Sequence, residues 1–176
     1  LTGTNAGATP ARAEDRGVVV TIEDLAPYLE DLEPRPSIAR FERNEAWGAE
    51  EIQYEYDGST STPVVFLSST ATIEGSPEDA RGAYIGQGIG FSAALSAMSD
   101  ITRQRRDDLL RFGDESRSEI LIGADGAPVG NAFTMRSGRT TFSVFFLGVY
   151  FDDPAALDEL LRPRLEALVA RARFAR

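Results

Sequence analysis

The stretch RTTFSVFFLGVYF (Arg139–Phe151) decides the fold. In an extended strand, Phe142, Val144, Phe146 and Tyr150 share one face, and Phe145, Leu147, Val149 and Phe151 share the other. The second half of this strand is therefore apolar on both sides. Such a strand needs cover on both faces, which predicts a sheet with helices on each side or with a partner seated on it.

The neighbours of this strand follow from turn chemistry. Asp125-Gly126 is the strongest hairpin signal in the chain, and Ser137-Gly138 is a second turn. Together they fold Ser116–Ile122, Pro128–Arg136 and Arg139–Phe151 into a three-stranded antiparallel meander. The stretch Ser99–Arg111 before it is charged and is expected to begin irregularly.

Further upstream, Ser76-Pro77-Glu78-Asp79 is a strong helix start. Ser stands at the N-cap, Pro at the first helical position, and carboxylates lie near the positive end of the dipole. This helix should run to about Met98. Gly82, Gly86, Gly90 and Ala94 are spaced four apart on it, and that small-residue stripe is expected to let the helix lie close to the sheet. The glycines do not form a phosphate-cradling loop, because the helix begins before them and Phe91 stands where a third spaced glycine is needed.

The N-terminal half reads in the same way. Thr21 and Asp24 approach a capping box, and Ile22, Leu25, Leu29 and Leu32 recur at helical spacing until Glu33–Pro36 ends the helix. Ser37–Arg43, Ala49–Asp57 and Pro63–Ile73 read as strands, with Trp47 in the connection between the first two and expected to fold back onto the core. Ala49–Asp57 alternates, with Ile52, Tyr54 and Tyr56 on one side and Glu51, Gln53 and Glu55 on the other. Downstream of the meander, Asp153-Pro154 opens a final helix with the stripe Leu157, Leu161, Leu165, Leu168 and Ala172. Pro163 is expected to kink or divide it.

The sum is an α+β fold in the order α-β-β-β-α-β-β-β-α, an antiparallel sheet of about six strands between helices. One domain spans residues 18–176. Leu1–Gly17 is small, polar and aperiodic, and reads as a flexible tether.

Composition narrows the chemistry. Among 176 residues there is no Cys and no His, and the 18 basic residues are all Arg. Disulfides, thiolate nucleophiles, Cys/His zinc sites, imidazole-based triads, Schiff bases and the P-loop lysine are all excluded. A net charge of −10 disfavours nucleic acid and anionic lipid surfaces. No apolar run reaches the length of a membrane span. No cofactor and no metal site is expected.

Adjacent acids occur at Glu50-Glu51, Asp107-Asp108, Asp114-Glu115 and Asp152-Asp153. A converging carboxylate pair could serve an acid-only hydrolase. Neighbours on a strand face opposite ways, however, and Asp152-Asp153 before Pro154 is more simply a helix cap. Arg103, Arg105 and Arg106 are followed by Asp107-Asp108, so self-neutralisation on a solvated helix is the plain reading. Tyr54, Tyr56 and Tyr150, each with a polar end that wants a partner, and Arg136 beside the Ser137-Gly138 turn are the candidate ligand-binding residues.

Gly113-Asp114-Glu115 before a strand, the Asp125-Gly126 hairpin, and Arg136-Ser137-Gly138-Arg139 leading into an apolar strand resemble the α/β/α sandwich of PsbP-like proteins and related bacterial extracytoplasmic sensor and lipoprotein domains. The resemblance covers about Thr21 to Arg173 and implies a non-catalytic accessory or binding role, with no catalytic residue carried over. It implies a place in the periplasm or cell envelope. A chain beginning at Leu1 with a polar tether fits processing and an N-terminal lipid anchor. The expected partner is a protein or a small apolar ligand. The rival readings are the acid-only hydrolase and a structural subunit of an oligomer.

Overall fold

A computed structural model describes residues 9–29, 38–46, 48–58, 65–97 and 100–174, and the side chains of all these but 91–97. It is an α+β fold. The strands are β1 (Thr9–Pro10), β2 (Ala39–Ala46), β3 (Ala49–Asp57), β4 (Phe66–Ile73), β5 (Thr102–Arg105), β6 (Glu115–Ile122), β7 (Pro128–Ser137) and β8 (Thr140–Leu147). The helices are α1 (Ile22–Leu25), α2 (Pro77–Ala97) and α3 (Pro154–Phe174), with 3-10 turns at Ala13–Val18 and Ala26–Tyr28. All eight strands form one antiparallel sheet in the order β1-β2-β3-β4-β8-β7-β6-β5. Two meanders of consecutive strands thus meet where β4 pairs with β8, Leu67 opposite Phe146 and Ala71 opposite Phe142.

One face of the sheet carries the core. Ile52, Tyr54, Tyr56, Leu67, Phe133, Met135, Phe142 and Phe146 are all buried there. Leu157, Leu160, Leu161, Leu165 and Leu168 of α3 close over them, joined by Val18, Val19, Val20, Ile22 and Leu25. Pro163 lies on the exposed side of α3, which continues through it as one helix. A missing N–H on the solvent side leaves the buried leucine stripe in register.

Polar side chains on this face receive the chain segments that cross it. Ser69 Oγ accepts the Val20 N–H at 3.0 Å, and the Tyr54 hydroxyl accepts that of Ile22 at 3.3 Å. Ser118 Oγ donates to the Leu110 carbonyl at 2.9 Å. Asn131 donates to the Phe151 carbonyl and accepts its N–H at 2.6 Å. Each bond satisfies a backbone group that lies outside the ladder and inside the core.

Charge fastens α3 at its far end. Asp15 is fully buried and accepts from the Arg12 N–H at 2.7 Å and from Arg171 Nη1 at 2.8 Å, with Arg43 Nη1 at 3.4 Å. Arg171 also pairs with Glu50, and Arg164 reaches Asp24. Burial works to raise the Asp15 pKa, but the Arg12 N–H and the two guanidiniums outweigh it and hold the carboxyl below its ordinary value.

The second face is different. Ser68, Thr70, Thr72, Thr141 and Ser143 form its centre, with Glu51, Gln53, Glu55, Arg136 and Glu119 around them. At one end Leu121 and Ala132 are buried with Ile101, Val129, Phe145 and Leu147 packed against them. α2 touches β7 and β8 on this side. The expectation of cover on both faces of the last strand is met, and the second cover rests on a largely polar surface.

Four sequence expectations are corrected. The glycine stripe does not face the sheet: a Cβ built on Gly82, Gly86 or Gly90 meets nothing within 4 Å. The stripe is flanked by Ile85 and Ile89, 56% and 68% exposed, so the small residues lie on the outer side of α2. Ala80 is the side chain that packs inward near its start. Second, the sheet has eight strands and the second meander four, because Thr102–Arg105 pairs with β6 as an edge strand. Four consecutive polar residues gave that strand no apolar alternation to be read from. Third, the N-terminal segment is not a tether through Gly17: Thr9 and Pro10 pair with β2, and Asp15 is buried. Fourth, β8 ends at Leu147. Gly148 then takes φ +100°, which breaks the alternation and swings Phe151 into the main core against Phe146 while Tyr150 faces out. The Glu33–Pro36 helix stop, Trp47, Phe91, Ala94 and residues 1–8 lie outside the described residues or side chains.

Two outcomes are expected. Gly86→Ala stabilises the protein by about 0.5–1 kcal/mol in urea unfolding, since the added methyl meets open space and the helix gains propensity; a loss would place the stripe against the sheet. Asp15→Asn lowers stability at pH 7 by about 2 kcal/mol. The native carboxyl titrates below its unfolded value, so its contribution is full above about pH 4 and is lost as pH falls through the native pKa. The gap between wild type and variant in unfolding free energy should narrow across that acid range.

Candidate binding clefts

Two clefts lie at opposite ends of the second meander. The first, of about 430 Å³, is lined by Ile101, Pro128, Val129, Leu147, Val149 and Tyr150, with Asp100 at its margin. It forms where β8 ends at Gly148 and the β6–β7 hairpin curls towards it. Gly148 N–H donates to the Val129 carbonyl at 2.9 Å, and Gly123 N–H to the Ala127 carbonyl at 2.9 Å. These bonds bring the hairpin and the outgoing chain together without closing the gap between them. Tyr150 remains 45% exposed at the wall. The cleft is continuous with the small apolar cluster of Leu121 and Ala132 on the second face.

The second cleft, of about 680 Å³, lies along residues 105–116 between Tyr84 of α2 and Arg162 of α3. Its floor is made by a lock between two distant segments. Gly113, at φ +76°, lies so close to the β7–β8 turn that a Cβ there would stand 2.4 Å from the Arg136 carbonyl. Asp114 N–H donates to that same carbonyl at 2.8 Å, and the Asp114 carboxylate accepts the Gly138 N–H at 2.8 Å. Arg136 then pairs with Asp114 at 3.1 Å and with Glu115 at 3.0 Å. The Gly113-Asp114-Glu115 and Arg136-Ser137-Gly138 segments, separate in sequence, are therefore one structural unit.

Apart from Arg111, the other charges in and beside this cleft are arranged in pairs. Arg105 Nε lies 2.6 Å from Asp107. Arg162 donates to Asp158 one turn before it at 2.8 Å, and its guanidinium lies 5.7 Å from the centre of the Phe112 ring. Arg106 grips Asp108 from Nε and Nη2, both at 2.9 Å. Asp107-Asp108 thus neutralise Arg105 and Arg106 while Arg103 pairs with Glu119 at 3.6 Å, on an edge strand and the turn after it rather than on a helix.

The candidate residues read from the sequence do not converge. Tyr54 and Tyr56 are fully buried in the main core. The Tyr54 hydroxyl serves Ile22, and burial pushes its pKa up to about 12. Arg136 belongs to the lock beside the larger cleft, and Tyr150 lines the smaller one. The two clefts are about a strand's length apart, one at each end of β7, so no single site holds Tyr150 and Arg136 together.

Of the adjacent acids, Asp107 and Asp114-Glu115 border the larger cleft, with Arg105 on Asp107 and Arg136 on the other two, and the remaining pairs lie apart. Glu50 pairs with Arg171 on the core side of β3, while Glu51 lies on the second face, where burial raises its pKa. Burial, then the charges of Asp79 and Glu51, raise that of Glu74. Asp153 accepts the N–H groups of Ala155 and Ala156 as the cap of α3. Among the described residues no three acidic side chains are placed to hold a metal ion. No helix of the described chain is long and apolar enough to cross a membrane.

Sequence reasoning missed Ile101, Val129, Arg111 and Phe112 as cleft residues. Ile101 and Val129 flank polar stretches, and nothing in their spacing joins them. Compared with protein-family models, curated proteins and solved structures, the chain shows no match.

The lock carries its own prediction. Gly113→Ala forces a side chain into a left-handed conformation and against a carbonyl, and is expected to cost about 2 kcal/mol or more in unfolding free energy. The amide of Gly138 should exchange faster with solvent in that variant. An unperturbed melt would show that the segment does not sit on the β7–β8 turn.

Proposed function

We propose that this chain is a non-catalytic binding domain of the cell envelope, which takes a small apolar ligand in the cleft beside Tyr150. The observation that carries this reading is the cleft's lining. A volume of about 430 Å³ suits a small organic ligand, and its wall is almost wholly apolar with a phenol and a carboxylate at the margin. An exposed aromatic body with a polar tip is well suited to hold such a ligand and to orient one polar end of it.

Composition supports the non-catalytic part of the proposal. With no His, Cys or Lys, proton transfer near neutral pH falls to carboxylates, tyrosines and arginines. The placement in the envelope rests on the resemblance in element order and motifs to PsbP-like and lipoprotein domains.

Titration with 1-N-phenylnaphthylamine tests the cleft. Fluorescence should rise saturably with one site per chain. Ala124→Trp, which adds bulk at the rim from an exposed turn, should abolish the rise without changing the thermal melt. Tyr150→Ala should weaken binding roughly 3- to 10-fold, the loss of one aromatic contact. No saturable signal, or a signal indifferent to Ala124→Trp, overturns the assignment.

A further inference from the structure

The larger cleft presents a chemistry that the apolar site does not. Three arginines line it, and two are committed: Arg105 to Asp107 and Arg162 to Asp158. Two of the lining acids, Asp114 and Glu115, are held by Arg136 from outside the cleft. Arg111 is left over. Its Nε donates to the Asp107 carbonyl at 3.2 Å, and among the described residues no carboxylate lies within ion-pairing distance of it. The acid that feels its field, Asp108, is gripped by Arg106.

This arrangement is informative in a chain with 28 acidic and 18 basic side chains, where carboxylates are in excess. The bond from Nε to a backbone carbonyl fixes the guanidinium plane and leaves the edge formed by Nη1 and Nη2. That edge presents two parallel N–H donors, the fork that a carboxylate accepts bidentately.

The remaining wall limits the ligand further. Asp107, Asp114 and Glu115 border the same space, so a second negative charge on the ligand would meet repulsion that a single charge on Arg111 does not offset. This balance of charge favours a monoanion over a dianion. Tyr84 and Phe112 supply the aromatic surface, and Arg162 already lies over the Phe112 ring, which fixes that ring in place. A flat apolar body is the complement to two aromatic walls.

We propose that this second cleft binds a monocarboxylate with an aromatic or flat apolar body, its carboxylate held by Arg111 and its body placed against Tyr84 and Phe112. The site is separate from the apolar cleft at the other end of β7 and stands or falls independently of it.

Phenylacetate is the probe. Titrated into the uniformly ¹⁵N-labelled chain, it should shift the backbone amides of Phe112–Ser116 and an arginine Nε–H resonance saturably. The amides of Val129 and Tyr150 should stay in place. Its neutral isostere phenylacetamide and the dianion phenyl phosphate should each bind at least 10-fold more weakly. Arg111→Gln should cost phenylacetate a similar factor while leaving the 1-N-phenylnaphthylamine response intact. Arg111→Lys, which keeps the charge but not the fork, should fall between the two. Absence of saturable shifts from phenylacetate overturns the proposal. Equal binding of the amide removes the role of charge, tighter binding of the phosphate removes the monoanion, and undiminished binding to Arg111→Gln removes the residue. The comparison among the three probes needs no variant, so the test survives if Arg111→Gln does not fold.

Discussion

The pairing of β4 with β8 is the interaction on which the rest of this structure depends. It joins two meanders that are each built from consecutive strands, and among the described residues it is the pairing of strands that are not consecutive in the chain. Its closure requires the chain to leave the sheet after Ile73 and re-enter it at β5 on the far edge, so that β5–β8 lead back to β4. α2 makes that departure, and it runs across the second face because the first is filled by α3 and the N-terminal turns. The order of layers is thus a consequence of one long-range pairing and of the apolar residues that meet along it, Leu67 with Phe146 and Ala71 with Phe142. Such a contact is entropically late and must be rewarded by burial, which the aromatic density of β8 supplies.

The two faces solve different problems. On the core side, buried polar groups act as sockets: Ser69, Tyr54, Asn131 and Ser118 each take a backbone group from a segment outside the sheet. They fix where the crossing chain lies, which hydrophobic contact alone leaves loosely determined. On the second side, a row of threonines and serines lies under a helix whose glycines face outward. There Gln87 donates to Thr141 at 3.0 Å, a polar contact where the core side uses leucine. That cover has less apolar burial behind it than α3 has.

Both clefts arise where regular pairing stops. At one end of β7, the left-handed turn at Gly148 lifts Val149 and Tyr150 away from the hairpin and leaves an apolar gap. At the other end, Gly113 and Asp114 seat on the β7–β8 turn, and residues 105–116 line a gap together with Tyr84 of α2 and Arg162 of α3. In an acidic protein the placement of arginines then decides the character of each gap. Among the described residues six pair with an acid two residues on, as Arg105 does with Asp107 and Arg106 with Asp108. Arg111 lacks an acid at that spacing on its C-terminal side, where Gly113 stands instead.

The sequence by itself determined the local elements. Ser76-Pro77 began α2, Asp125-Gly126 and Ser137-Gly138 placed the hairpins, the alternation of Ala49–Asp57 matched β3 residue for residue, and the two-faced β8 required cover on both sides. These are signals of period and turn chemistry, and they act over a few residues. It could not show that Thr102–Arg105 is a strand, because an edge strand with four polar residues has no periodicity of burial. Nor could it show the direction of the glycine stripe, since a helix with small residues on one side and scattered apolar ones on the other packs by whichever face the sheet admits. Tyr54 and Tyr56 had the chemistry of ligand contacts, but only the closure of the N-terminal turns over β3 showed that both are buried in the core and that the Tyr54 hydroxyl serves the backbone of Ile22. The clefts themselves belong wholly to tertiary structure. Each is made by residues tens of positions apart, brought together by a glycine in a left-handed turn and by the long-range pairing of β4 with β8.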